Sequence, residues 1–200
     1  MTKKALFFFT ASCLSLFVPV PPRFGYGIVL VLCASLIVFA VIVLKAFIER
    51  LGIEKYKNFL FMLGVLALTL FLYALIGFWS PLTAFTLGFI IYIIPVSLFM
   101  NKLVFPDEGQ PFKQVLRQGL KSCGILSMLG LLFFALRELL AFGTLSFPAR
   151  SGLRIFGILK SFGFFPVFFW ATIPGALILL AFLLVLLSVV YRRYEIKEEL

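Results

Sequence analysis

The chain has 200 residues, of which 63% are hydrophobic and 13% charged, and its mean hydropathy is +1.17. A soluble domain is roughly 45–50% apolar and about 25% charged, so this composition excludes a water-soluble fold: the surplus apolar surface must face lipid. The net charge of +10 comes from basic residues placed between apolar runs rather than in a patch with base-stacking aromatics, which makes a lipid bilayer the partner and excludes nucleic acid.

A helix crosses the hydrocarbon core in about 20 apolar residues. The first apolar run, Ala5 to Val18, is short and stops at Pro19, Pro21 and Pro22. Proline lacks the amide donor and breaks helices. Lys3-Lys4 and the run to Phe9 have the outline of a signal peptide, and Ala11-Ser12-Cys13 resembles a lipoprotein cleavage site. The apolar stretch is shorter than such signals carry, so the segment is expected to stay.

Tyr26 to Leu44 is a clean second run ended by Lys45, and Phe59 to Trp79 is a charge-free third. The fourth, Leu82 to Met100, carries Pro95 inside it. Leu120 to Leu136 is the fifth, closed by Arg137-Glu138, and Phe164 to Tyr191 is the sixth, ended by Arg192-Arg193. The expectation is an all-α integral membrane protein of about six transmembrane segments, forming a single transmembrane domain over residues 1–200. The residues between Arg137 and Gly163 are read as a loop.

Broken first and fourth helices are the mark of a 3+3 inverted repeat, whose working site lies where the two breaks meet. Cys13-Leu14-Ser15-Leu16-Phe17-Val18 lines up with Pro95-Val96-Ser97-Leu98-Phe99-Met100, matching at three positions of six. Six crossings put thirteen of the Lys and Arg residues on the side of the termini. Five remain opposite: Arg23, Arg137, Arg150, Arg154 and Lys160. Both termini are therefore expected in the cytoplasm, in a cell inner membrane.

No carboxylate falls in the middle of a run, which argues against a self-contained ion pump. Arg137-Glu138 reads as a membrane-edge pair reaching water, or else as a contact to a neighbouring subunit. The chain has no His and three Cys, without a CxxC spacing. Cys33 and Cys123 read as small buried hydrophobes. Cys13, beside the first break, reads the same way, with thiolate ligation of iron as the functional alternative.

The run Leu136-Arg137-Glu138-Leu139-Leu140-Ala141-Phe142-Gly143-Thr144-Leu145 resembles the fifth-helix end of the Rnf E / Nqr D membrane subunits, Ile-Arg-Glu-Ile/Leu-Leu-Gly-x-Gly-Thr-Leu. Ile173-Pro174-Gly175-Ala176 resembles that family's Pro-Pro-Gly-Ala opening of the last helix, and Phe24-Gly25-Tyr26-Gly27 its Leu-Gly-Met-Gly. Cys13 falls where the family has its first-helix cysteine. The resemblance covers nearly the whole chain. It implies a subunit, not catalytic alone, of a complex that couples electron transfer to Na⁺ or H⁺ translocation. It also implies a homologous partner subunit of opposite orientation, and a [2Fe–2S] cluster to which each of the two subunits gives two cysteines.

One departure bears on the cluster. The fourth-segment cysteine of the family is expected near Ile94-Pro95, where this chain has none, and the family's Asn-Cys pair and Gly-Arg-Ala-Glu run are missing around Met100-Asn101-Lys102. Cys13 therefore matches a ligand whose partner is absent. Two other readings stay open: a small membrane transporter or substrate-binding component, and a structural paralogue that has lost electron transfer.

Overall fold

The computed structural model describes residues 14–50, 56–100, 112–157 and 167–198. Five long helices dominate them: α1 (Phe24–Arg50), α2 (Lys57–Trp79), α3 (Pro81–Met100), α4 (Phe112–Phe142) and α5 (Ile173–Glu198). By length and apolar composition α1, α2 and α4 can each cross a membrane, and the apolar parts of α3 and α5 are shorter. Cys13 and most of the first run lie outside the described residues. Its described end leaves a helical Leu14-Ser15 for tight turns that run on to Val20, with Phe17, Val18 and Val20 amides donating to the carbonyls of Leu14, Ser15 and Phe17. Leu14, Phe17, Val18 and Val20 are buried, so this run of turns sits inside the protein.

The α1–α4 pair is the spine. Gly27 faces Phe134, Val31 faces Gly130, the Ser35 and Ser127 hydroxyls are 3.1 Å apart, and Ile42 meets Gly119. Each step forward on α1 is a step back on α4, so the helices are antiparallel. Glycine and serine at these points let the backbones approach, the device membrane helices use where lipid supplies no hydrophobic drive. The joint between α2 and α3 is one residue. Ser80 is extended (φ −149°) and Pro81 occupies the first helical position, where its missing N–H costs nothing. The buried Ser80 and Thr83 hydroxyls bond at 2.9 Å.

Three expectations are corrected. First, α3 continues through Pro95 to Met100. Proline forfeits one hydrogen bond there without ending the helix, as membrane helices tolerate. Second, α4 runs beyond Leu120–Leu136 at both ends, and α1 runs past Lys45 to Arg50. Lys113, Arg117 and Lys121 continue the turn of α4, because a charge ends an apolar run but not a helix. Third, the fold is not all-α, since the residues after Arg137 are not simply a loop. Gly143 (φ +65°) ends α4 with its amide on the Leu139 carbonyl, the left-handed cap for which glycine is suited. An antiparallel hairpin follows, β1 (Thr144–Ala149) and β2 (Gly152–Gly157), in the register Phe147↔Arg154 with a two-residue loop of Arg150 and Ser151. A 3₁₀ turn over Phe168–Ala171 then leads into α5.

Candidate functional site

The largest buried polar assembly among the described residues sits at one end of this bundle, where α1 begins and α4 ends. Arg137 is 2% exposed and Glu138 0%. Neither reaches water, which overturns the expectation that the pair turns outward to solvent. Being consecutive on a helix they point about 100° apart, and each binds a different part of the chain.

Arg137 satisfies carbonyls. Its Nη1 donates to Val18 O at 3.1 Å and Val20 O at 2.8 Å, while Nη2 reaches Ala171 O at 3.0 Å and Nε reaches Trp170 O at 3.3 Å. The first pair are carbonyls left without helical partners by the proline break, and the second pair close the 3₁₀ turn before α5. A planar guanidinium with five donors can span both sets.

Glu138 accepts five bonds. Its Oε2 takes the Phe24 amide at 2.6 Å, the Ser146 amide at 3.0 Å and the Ser146 hydroxyl at 2.7 Å. Its Oε1 takes the Thr144 hydroxyl at 3.1 Å and Arg23 Nη1 at 3.2 Å. The Phe24 amide is one of the orphan donors at the start of α1, so the carboxylate caps that helix and meets the positive end of its dipole. The Gly25 amide donates to the Ser146 hydroxyl at 3.2 Å, and Arg23 also lies over the Phe142 ring, 4.3 Å from its centre.

Thr144 and Ser146 reach Glu138 together because alternate residues of a strand share a face. Gly25 is required: a side chain there would strike Leu153 and press on the backbone of Phe147 and Pro148 where β1 crosses α1. Thr172 caps α5, its hydroxyl accepting the Gly175 amide at 3.4 Å, with Pro174 in the first turn. A Cβ on Gly175 would collide with the Phe169 carbonyl and the Trp170 Cα. The close approach permitted by Gly175 is what holds the Trp170 and Ala171 carbonyls over Arg137.

Arg137, Glu138, Gly143, Thr144, Pro174 and Gly175 thus gather at one place. Arg23 and Ser146 complete it without having stood out in the sequence. The signal for Ser146 was its period-two spacing from Thr144. Arg23 counted only as a loop charge. No buried side-chain N or O among the described residues lacks a partner. The assembly is therefore a clamp: every polar group in it is engaged by the chain itself.

The donors of an iron–sulfur site do not come together in the same way. Cys33 and Cys123 are buried on α1 and α4, Pro95 stands within α3 where the resemblance calls for a second thiolate, and Cys13 lies outside the described residues. Among the described residues no three His, Cys, Asp or Glu form a metal-binding group. Compared with known proteins, the chain matches no family model and no curated relative.

Proposed function

We propose that the chain is a divergent membrane subunit of an Rnf/Nqr-type complex, in which electron transfer drives Na⁺ or H⁺ across the inner membrane. It would not be catalytic alone and would pair with a homologous subunit of opposite orientation. With both termini cytoplasmic, the clamp end faces away from the cytoplasm. The observation that carries the reading is convergence. Phe24–Gly27, the run from Arg137 to Leu145, and Ile173–Ala176 are far apart in the chain, and the resemblance rests on them. They build one buried assembly, linked by Glu138 to Phe24 and by Arg137 to the turn before Ile173. A chance likeness in three short runs gives no reason for them to meet.

Pro95 favours one variant of this reading: the architecture is kept while this subunit no longer supplies a full pair of thiolates. Cys13 would be its single possible ligand to a [2Fe–2S] cluster. The test is gentle solubilisation of membranes carrying the tagged chain, followed by identification of co-purifying subunits, iron analysis and electron paramagnetic resonance, with Cys13→Ala alongside. Homologous membrane subunits should co-purify. A [2Fe–2S] signal lost in Cys13→Ala keeps the chain in the electron path, and an assembled complex without that dependence makes it structural. A chain that purifies alone and binds a small solute overturns the proposal in favour of a transporter.

A further inference from the structure

The hairpin has a surface that the clamp does not use. Its clamp-facing residues, Thr144 and Ser146, are buried, whereas on the opposite face Phe147 and Phe156 are 41% and 52% exposed, with Arg154, the cross-strand partner of Phe147, exposed beside them and Arg150 exposed in the loop. Phe147 and Phe156 meet edge to face at 5.9 Å. A two-stranded sheet in water is marginal, and one that shows aromatics and arginines together suits neither water nor hydrocarbon.

The helices say which layer it occupies. At 1.5 Å per residue, Phe24 to Lys45 spans about 32 Å, Lys57 to Trp79 about 33 Å, Lys121 to Phe142 about 32 Å and Ile173 to Arg192 about 29 Å. Each matches a hydrocarbon core of about 30 Å. The clamp-end border therefore passes through Phe24, Trp79, Phe142 and Ile173. The hairpin begins two residues past Phe142.

We infer that the hairpin is an interfacial anchor: it lies in the lipid headgroup layer at the clamp end, with Phe147 and Phe156 at the acyl boundary and Arg150 and Arg154 on phospholipid phosphates. Aromatic side chains and long basic ones are the residues that favour this layer. The charge is complementary, and the carboxylate of Glu138 beneath the hairpin is fully engaged inside. This goes beyond the assignment to a complex and holds whether or not that assignment does.

The test uses the full chain with Phe156→Trp in nanodiscs of phosphatidylcholine carrying bromine at shallow or deep acyl positions, with the fluorescence of the parent chain (Trp79 and Trp170) subtracted. The added signal should be quenched several-fold more by shallow than by deep bromine, and weakly by acrylamide in the water. Combining it with Arg150→Gln and Arg154→Gln should lower the bromine quenching and raise the acrylamide quenching. Strong acrylamide quenching without a bromine effect puts the hairpin in water and overturns the inference. Protection from both quenchers means a protein covers it, which also overturns it. Bromine quenching unchanged in the arginine variant overturns the phosphate contacts. Phe147→Trp, on the same face, repeats the measurement if Phe156→Trp does not fold.

Discussion

The carboxylate of Glu138 and the guanidinium of Arg23 are 3.2 Å apart, although 115 residues of chain separate them. The acid is wholly buried and the base about a quarter exposed. Glu138→Ala leaves that guanidinium, the Phe24 amide and the Ser146 amide without their acceptor. Each buried donor left unmet costs about 1–3 kcal/mol. Chemical denaturation in detergent micelles should show a loss of that order, and Glu138→Gln should also lose stability, since its amide turns a donor toward donors.

Arg137→Lys keeps the charge and should still destabilise. One ammonium cannot reach Val18 and Val20 on one side and Trp170 and Ala171 on the other, so at least one buried carbonyl goes unmet, at about 1–3 kcal/mol. Arg117→Lys, on the exposed face of α4, is the control and should change stability little.

Two glycines should answer alanine in opposite ways. Gly175→Ala drives a methyl into the Phe169 carbonyl and pushes the 3₁₀ turn off Arg137, at about 1–3 kcal/mol for overpacking. Gly124 has nothing within 4 Å of a built Cβ, so Gly124→Ala should be neutral or stabilise by up to about 1 kcal/mol through helix propensity. Thermal unfolding of the two variants side by side measures the contrast.

Ser35 donates to the Val31 carbonyl at 2.9 Å, so Ser127 supplies the proton in the 3.1 Å bond between the two hydroxyls. A double-mutant cycle on Ser35→Ala and Ser127→Ala should give a coupling of about 0.6 kcal/mol, the usual worth of such a bond between membrane helices.

The helix cores were legible in the sequence because apolar runs near 20 residues have few other uses. Helix ends were less so. At α4 the charges Lys113, Arg117 and Lys121 ride on a helix that continues outside the apolar stretch. Arg137-Glu138 was legible as a distinctive pair, and its direction was not. Both side chains turn inward toward backbone groups that, the Ser146 amide apart, lie 33 to 119 residues away, and no local pattern shows an orphan backbone group that far off. The hairpin was hidden because its strands are six residues each, within a stretch too broken by Gly, Pro and Arg for a span. Its one local cue was the alternation of Thr144 and Ser146.

The far-apart partners of Glu138 have a consequence for how the chain is made. Synthesis delivers Arg23 and Phe24 early, Glu138 long after, and Thr144 and Ser146 after that. A nascent chain ending at Phe142 would hold this carboxylate with only part of its final partners. Arg137 likewise waits for Trp170 and Ala171. Until that point the clamp end stays open, and α1 cannot lock until the approach to α5 has emerged. Closure of the clamp therefore waits on the turn before α5, and a chain cut short ahead of Ala171 carries an unfinished polar core.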